Sequence, residues 1–398
     1  MKNEKRNVLL LAACLAFGMS TTSLIMTAAA VAGTLIAPDP GLATLPLALM
    51  FVGMMLTPLP ASLLMKRMGR RFGFVTGSVF GMVGGAVATL ATWRGDFVLF
   101  SAGLVLLGVA AAFNQLYRFA AADVASPAFR PRAISWVMAG GIVAAFLGPN
   151  LATWTKDLFT TAEFAGTFAT LPLLHAGTLL LIGFVELPAP SSAETSGPTR
   201  PLREIARQPA FVAAVLAGII GFAGMNFVMT STPLAVLDHA HHTFSDAAFV
   251  LQWHVVGMYA PAFFTGRLIG RFGSPAVMMT GALLYVGCVA LNLSGGTLML
   301  SFWPALILLG IGWNFLFVGA TTLLTETYRA AEKAKVQGMN DFLVFTAVAV
   351  SALSSGTVHA LAGWATVNLV LLALTGVVAC VLLWLMGVRR TAAQAQPG

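Results

Sequence analysis

Few residues in this chain could do chemistry, and most of them interrupt long apolar runs. "AFNQLYRFAAAD" (112–123) sets Asn114 and Arg118 four apart, on one face of a helix, with Gln115 and Tyr117 beside them. "LQWHVVGMY" (251–259) carries Gln252, Trp253, His254 and Tyr259. Trp313 precedes Asn314, Asn226 and Thr230 are again four apart, and Ser20, Thr21, Thr22 and Ser23 form a hydroxyl run. Amides and aromatic rings can hydrogen-bond and stack a planar, polar, partly aromatic solute. For each amide taken singly, a hydrogen bond between helices is the competing role. Covalent chemistry would need a nucleophile beside a base, or metal ligands at helical spacing. Neither a His-Glu-x-x-His pattern nor a grouped His/Asp set occurs, which argues against a membrane enzyme, a metal site or a cofactor. Cys14, Cys288 and Cys380 are isolated in apolar runs and read as packing residues. No acidic cluster is present, so a multivalent cation is a poor candidate for the solute.

Ionisable groups at membrane depth are costly and therefore candidates for proton coupling. His254, His175, His359 and Asp341 are the ionisable groups in question, and His254 and Asp341 are the two taken as proton-coupling candidates. A lone helical histidine can instead be a hydrogen-bonded packing residue. Asp341, in "VQGMNDFLVF", falls within about a turn of the expected start of its helix, where a carboxylate also complements the helix dipole.

The elements that position these residues follow from composition. Of 398 residues, 58% are hydrophobic and only 9% charged, too few charges to cover a water-facing surface. The chain reads as an all-α membrane protein. Twelve apolar runs, 8–36, 41–65, 72–92, 97–121, 134–155, 164–186, 209–235, 245–267, 274–294, 299–324, 338–361 and 364–388, each approach or exceed the about 20 residues that cross a bilayer. The first is too long for the core of a signal peptide and reads as a retained span. Alternating sides from a cytoplasmic N-terminus puts 20 of the 22 Lys and Arg inside, leaving only Arg94 and Lys156 outside. That asymmetry predicts both termini in the cytoplasm, and it assigns the net charge of +8 to membrane orientation rather than to nucleic acid. The polar stretch "LPAPSSAETSGPTRPLREIARQP" then reads as a cytoplasmic linker, 187–208, between an N-terminal bundle, 1–186, and a C-terminal bundle with a short tail, 209–398.

The two halves repeat. "KRMGRRFGFVTG" (66–77) aligns with "GRFGSPAVMMTG" (270–281) at an offset of 204. "LLG" recurs at 106–108 and 308–310. Asp123 with Arg130 and Arg132 recurs as Glu326 with Lys333 and Lys335. Three landmarks in order at nearly one offset indicate a duplicated six-helix unit. Asn114 and Asn314 follow the matching "LLG" landmarks, so Asn114, Arg118, Gln252, Trp253 and Asn314 are expected to line one central cavity.

Twelve spans, a 6+6 repeat and basic loops after the second and eighth spans resemble the major facilitator superfamily. The first loop, from Ser62 through Gly69-Arg70-Arg71, matches the later half of that family's signature, and Gly266 through Gly273 keeps both glycines of the second copy. Lys66 and Gly270 stand where the family has an acidic residue. The resemblance implies two six-helix bundles that alternate access, with Gly69, Arg70, Arg71, Arg271 and Gly273 in the gates and Asp123 and Glu326 as partners of the gate cations. The bland alternative for these cations is orientation alone, near anionic lipid. It further implies a secondary active transporter of a small organic solute in the bacterial inner membrane, drawing on a proton or ion gradient and working as a monomer. The stretches "NQLYRFAAADVASPAFRPRAISWVMAGG" and "AKVQGMNDFLVF" are similar to a bacterial branch that includes riboflavin uptake transporters, so riboflavin or a like heteroaromatic is one expected solute. The stretch "GGIVAAFLGP" (140–149) resembles the superfamily's exporter motif and leaves a proton-coupled exporter of drugs or siderophores open, although its small residues also suit close helix packing. A non-transporting receptor is the remaining alternative.

Overall fold

The structure, a computed structural model, describes residues 3–39, 42, 45–188, 197–240, 244–295 and 301–394. Every one of the twelve apolar runs forms helix, and no strand occurs among the described residues. In chain order the helices are α1 (Glu4–Ile36), α2 (Leu45–Leu56), α3 (Pro58–Met68), α4 (Arg70–Arg94), α5 (Phe97–Gln115), α6 (Tyr117–Val124), α7 (Arg130–Ala139), α8 (Gly141–Thr155) and α9 (Ala165–Phe184). They continue as α10 (Leu202–Ala206), α11 (Pro209–Ala240), α12 (Phe244–Tyr259), α13 (Ala262–Phe272), α14 (Ser274–Leu293), α15 (Trp303–Leu324) and α16 (Lys333–Gln394). Among the described residues nine helical segments are long and apolar enough to cross a membrane, or ten if the bent pair α2–α3 is one span. The longest of these, α16 with the short turn before it, breaks at Gly363, whose backbone is left-handed (φ 79°). Leucines such as Leu173 (71% exposed) and Leu361 (83% exposed) stand on the outer surface, which is tolerable only where the solvent is lipid.

Some expected single helices are broken. The run 41–65 bends by 44° at Thr57-Pro58, and 245–267 breaks at Ala260-Pro261, because proline removes a backbone donor and crowds the preceding turn. The runs 97–121 and 134–155 stay single spanning segments, Phe97–Val124 and Arg130–Thr155, because Leu116 and Gly140 keep right-handed helical backbone where α5 meets α6 and α7 meets α8. Part of the expected linker, 189–196, lies outside the described residues, and the rest includes the short helix α10.

Contacts divide the chain into two compact units. The first comprises Met1–Pro198 with Ala330–Phe342, the second Thr199–Arg329 with Leu343–Gly398, so the first turns of α16 group with the N-terminal unit. Within the first unit, α4 packs on α5 and α9, α2 on α5, and α1 on α8 and α9. Leu24, Phe100, Leu104, Phe168 and Leu171 form part of its core. Within the second, α15 is the hub against which α11, α12 and α14 pack.

The repeat is written into the backbone. Gly69 (φ 89°, ψ 160°) and Gly273 (φ 81°, ψ 156°) turn the chain between α3 and α4 and between α13 and α14, in a conformation nearly closed to other residues. The "LLG" landmark has a packing cause. A β-carbon on Gly108 would strike the Met50 carbonyl, and one on Gly310 the His254 carbonyl, so α2 and α12 each cross the helix behind that motif at backbone distance. Gly148 likewise sits against Ser20, Ser23 and Leu24 of α1, which gives the "GGIVAAFLGP" stretch a packing role.

Candidate functional site

The polar residues of the first unit gather around the junction of α5 and α6. Arg118, only 1% exposed, donates through Nη1 to the backbone and side-chain oxygens of Gln115, at 2.9 and 3.1 Å, and through Nη2 to Oδ1 of Asp341. Asp341 also accepts from the Asn340 amide at 2.9 Å. One expectation is corrected here: Asp341 is no helix-dipole stabiliser in a first turn. The helix starts at Lys333, five residues before the apolar run that begins at 338, and Asp341 is completely buried. An ion pair this deep is held by its own geometry, since either member alone would be an uncompensated charge. Tyr117 turns away from any opening and stacks on Phe74, 4.0 Å between ring centres. Asn114 lies on the last turn of α5, facing Gly18 of α1. On α1 itself the hydroxyls of Ser20, Thr21 and Thr22 donate to carbonyls of their own helix.

At the loop end of the same unit, Asp123 gathers two cations on one oxygen. Arg70 Nε donates to Oδ2 at 3.0 Å and Lys333 Nζ to the same atom at 3.1 Å. Arg70 also donates to Gln337 at 2.7 Å, and Lys66 Nζ reaches the Ala331 carbonyl at 3.1 Å. Lys66 occupies the place of the expected acidic residue, and Asp123 supplies the negative charge instead. Arg71 takes no carboxylate and donates to the Val185 carbonyl at 2.7 Å, just past the end of α9. The cleft around these groups holds about 30 Å³, room for a water molecule and not for an organic solute.

In the second unit most of the candidate amides are already engaged. Asn314, fully buried, accepts from Thr265 at 2.7 Å and donates to the Met258 carbonyl at 2.6 Å. Asn226 donates to Ser351 at 3.0 Å. His254 Nδ1 meets the Leu306 carbonyl at 2.8 Å. These are the interhelical bonds that compete with ligand contact. Trp313 is buried in an aromatic group with Phe222, Tyr259 and Phe317. Phe222, which no sequence signal separates from other phenylalanines, touches Trp313, Phe317 and Phe345. Gln252 and Trp253 are exposed, and Trp253 (41%) meets Phe249 and Trp303 edge-on instead of joining Trp313. Glu326 is not a partner of the signature-loop arginines. It accepts from Arg389 at 2.8 Å near the chain's end, because α15 stops at Leu324 and leaves it in the following turn. Arg271 is exposed at the end of α13. Cys14 and Cys288 are buried and Cys380 exposed. No group of three metal-ligating side chains occurs among the described residues.

A duplicated helical unit, glycine-turned basic loops and buried polar groups within spans define a membrane transporter of the facilitator type. The sequence profile of the Major Facilitator Superfamily matches residues 8–352, and the chain belongs to that family. It is 39% identical over 368 residues to the riboflavin transporter RfnT of Brucella anthropi, covering 92% of both chains. It is 29% identical to YddS of Bacillus subtilis, an uncharacterised transporter of the same type, over 82% of this chain and 80% of that one. Among solved structures it is similar to FucP in the outward conformation (TM-score 0.78, 18% identity, 95% and 98% of the two chains). The human organic anion transporter MFSD10 is similarly close in fold (TM-score 0.77, 17% identity, 95% and 99%).

Proposed function

We propose that this multi-pass transporter moves riboflavin, or a closely related flat heteroaromatic, across the bacterial inner membrane by alternating access. The carrying observation is the 39% identity to a riboflavin transporter over 92% of both chains. The inventory of amides and aromatic rings, with no cluster of carboxylates, agrees with an uncharged ring system as cargo. Twelve spans and cytoplasmic termini, supported by the side bias of the cations, complete this reading, with a monomer as the working unit. The Gly69-Arg70-Arg71 loop serves as a gate, with Asp123 as the carboxylate shared by Arg70 and Lys333, and Gly273 and Arg271 as its repeat. Of the two candidates for coupling to a proton gradient, Asp341 is favoured, because His254 is anchored to a backbone carbonyl.

The test is uptake of labelled riboflavin by cells that lack their own flavin importer, paired with thermal stabilisation of the purified protein. Saturable uptake and stabilisation by riboflavin, without stabilisation by siderophores or common drugs, is the expected result. Stabilisation by a siderophore or drug alone would overturn the assignment.

A further inference from the structure

Within "NQLYR", Gln115, Tyr117 and Arg118 all have partners inside the first unit: Arg118 bonds Gln115 and Asp341, and Tyr117 stacks on Phe74. Asn114 differs. It is only 6% exposed, its amide makes no hydrogen bond among the described residues, and it is absent from the fully enclosed unpaired atoms, so the amide keeps an opening. A buried carboxamide with neither donor nor acceptor matched is unfavourable unless something else supplies the match. The helix opposite makes room for it. A β-carbon on Gly18 would overlap the nitrogen, the carbon and the oxygen of the Asn114 amide, so α1 forgoes a side chain where that amide stands. Asn114 stands on the final turn of α5, two residues before Leu116, where α5 meets α6.

We propose that Asn114, positioned by Gly18, forms a subsite that reads the imide edge of a flat heteroaromatic solute. The proposal rests on the flavin reading above and names which edge of the ring system is recognised. A carboxamide offers an acceptor oxygen beside a donor NH2. An imide offers an N–H beside a carbonyl. The two groups meet in a pair of parallel hydrogen bonds, the geometry by which asparagine reads a base edge. Sites built to hydrogen-bond a donor reject analogues that lack it far more strongly than apolar pockets reject an altered methyl group. Asn114 is the reading residue. Gly18 touches no solute and acts by leaving the amide in place.

The experiment titrates the purified full-length protein with riboflavin and with N3-methylriboflavin, whose imide hydrogen is replaced, following flavin fluorescence. Wild type is expected to prefer riboflavin by about tenfold or more. Asn114→Ala should bind both compounds weakly and equally. Gly18→Ala should reduce the preference when Asn114 is present and do nothing in an Asn114→Ala background, where the truncated side chain has room for the β-carbon. That loss of effect separates positioning from general packing, and Asn114→Ala tests the subsite even if Gly18→Ala alone fails to fold. Riboflavin binding without discrimination against the methylated compound would overturn the imide subsite while leaving flavin transport intact. Absence of any flavin binding by folded wild type would overturn both. An equal effect of Gly18→Ala in the two backgrounds would overturn the positioning role.

Discussion

Arg118 and Asp341 show what a single pair can decide in a low-dielectric interior. Replacing Asp341 with Asn leaves a guanidinium buried without a counter-charge, a change that costs about 3–5 kcal/mol in comparable settings. Thermal unfolding of the purified protein should therefore show a large loss for Asp341→Asn. The double variant Arg118→Gln with Asp341→Asn should recover most of it, because no buried charge remains. A double variant as unstable as the single would mean that the stabilising interactions extend beyond the pair. Arg118 was legible as an ionisable group among spans, yet its partner was not. The two residues lie 223 apart, and no periodicity links them. Lys333 and Lys335 also disguised the first five residues of α16, 333–337, as loop, which made Asp341 look like a first-turn residue. For Asn314, adjacency in sequence to a repeat landmark marks a helix face and says nothing of the bonds that its amide makes with Thr265 and the Met258 carbonyl.

At the scale of elements, the loops after α3 and α13 rest on one glycine each. Gly273 has open space around it: a β-carbon there would lie 3.8 Å from its nearest foreign atom, Pro275 Cδ, so substitution costs conformation alone. Gly273→Ala should destabilise by about 1–3 kcal/mol through its positive φ. Gly270→Ala, three residues earlier in the interior of α13 with nothing within 4 Å, should be neutral or stabilise by about 0.5–1 kcal/mol. Denaturation midpoints of the two variants provide the comparison, and equal midpoints would remove the strained turn from the account. The two arginines proposed for the gate separate in the same way. Arg70 bonds Asp123 and Gln337, whereas Arg71 meets one backbone carbonyl. Arg70→Gln should therefore slow transport more than Arg71→Gln, with riboflavin affinity kept within a few fold in both, as measured by initial uptake rates against binding. The repeated loops were legible because basic residues are rare in such a chain, 22 Lys and Arg in 398, and the glycines keep their spacing to them in both copies. The continuity of Phe97–Val124 and Arg130–Thr155 as single spans was legible too, in apolar runs without an interrupting proline at Leu116 or Gly140. The proline breaks at 58 and 261 did carry a signal, which the length of the surrounding apolar runs obscured.

At the scale of the whole molecule, the cation bias that suggested the topology survives one correction. Arg118 is buried against Asp341 and is not a loop cation, so the count becomes 19 of the 21 remaining Lys and Arg on one side, with Arg94 and Lys156 opposite. Removing one member does not weaken an asymmetry of this size. Cysteine labelling in intact cells can read it, and the native thiols make the background simple. Cys14 and Cys288 are buried and should stay silent, while the exposed Cys380 is replaced by Ser. In that background an impermeant maleimide should label Arg94→Cys, an exposed position at the end of α4, without breaking the cells. Arg132→Cys, exposed in the first turn of α7, should react only after the membrane is permeabilised. Both sites lie outside the core, so neither substitution should exceed about 0.5 kcal/mol in stability. Strong labelling of Arg132→Cys in sealed cells would invert the molecule and place the Gly69-Arg70-Arg71 loop on the outer face.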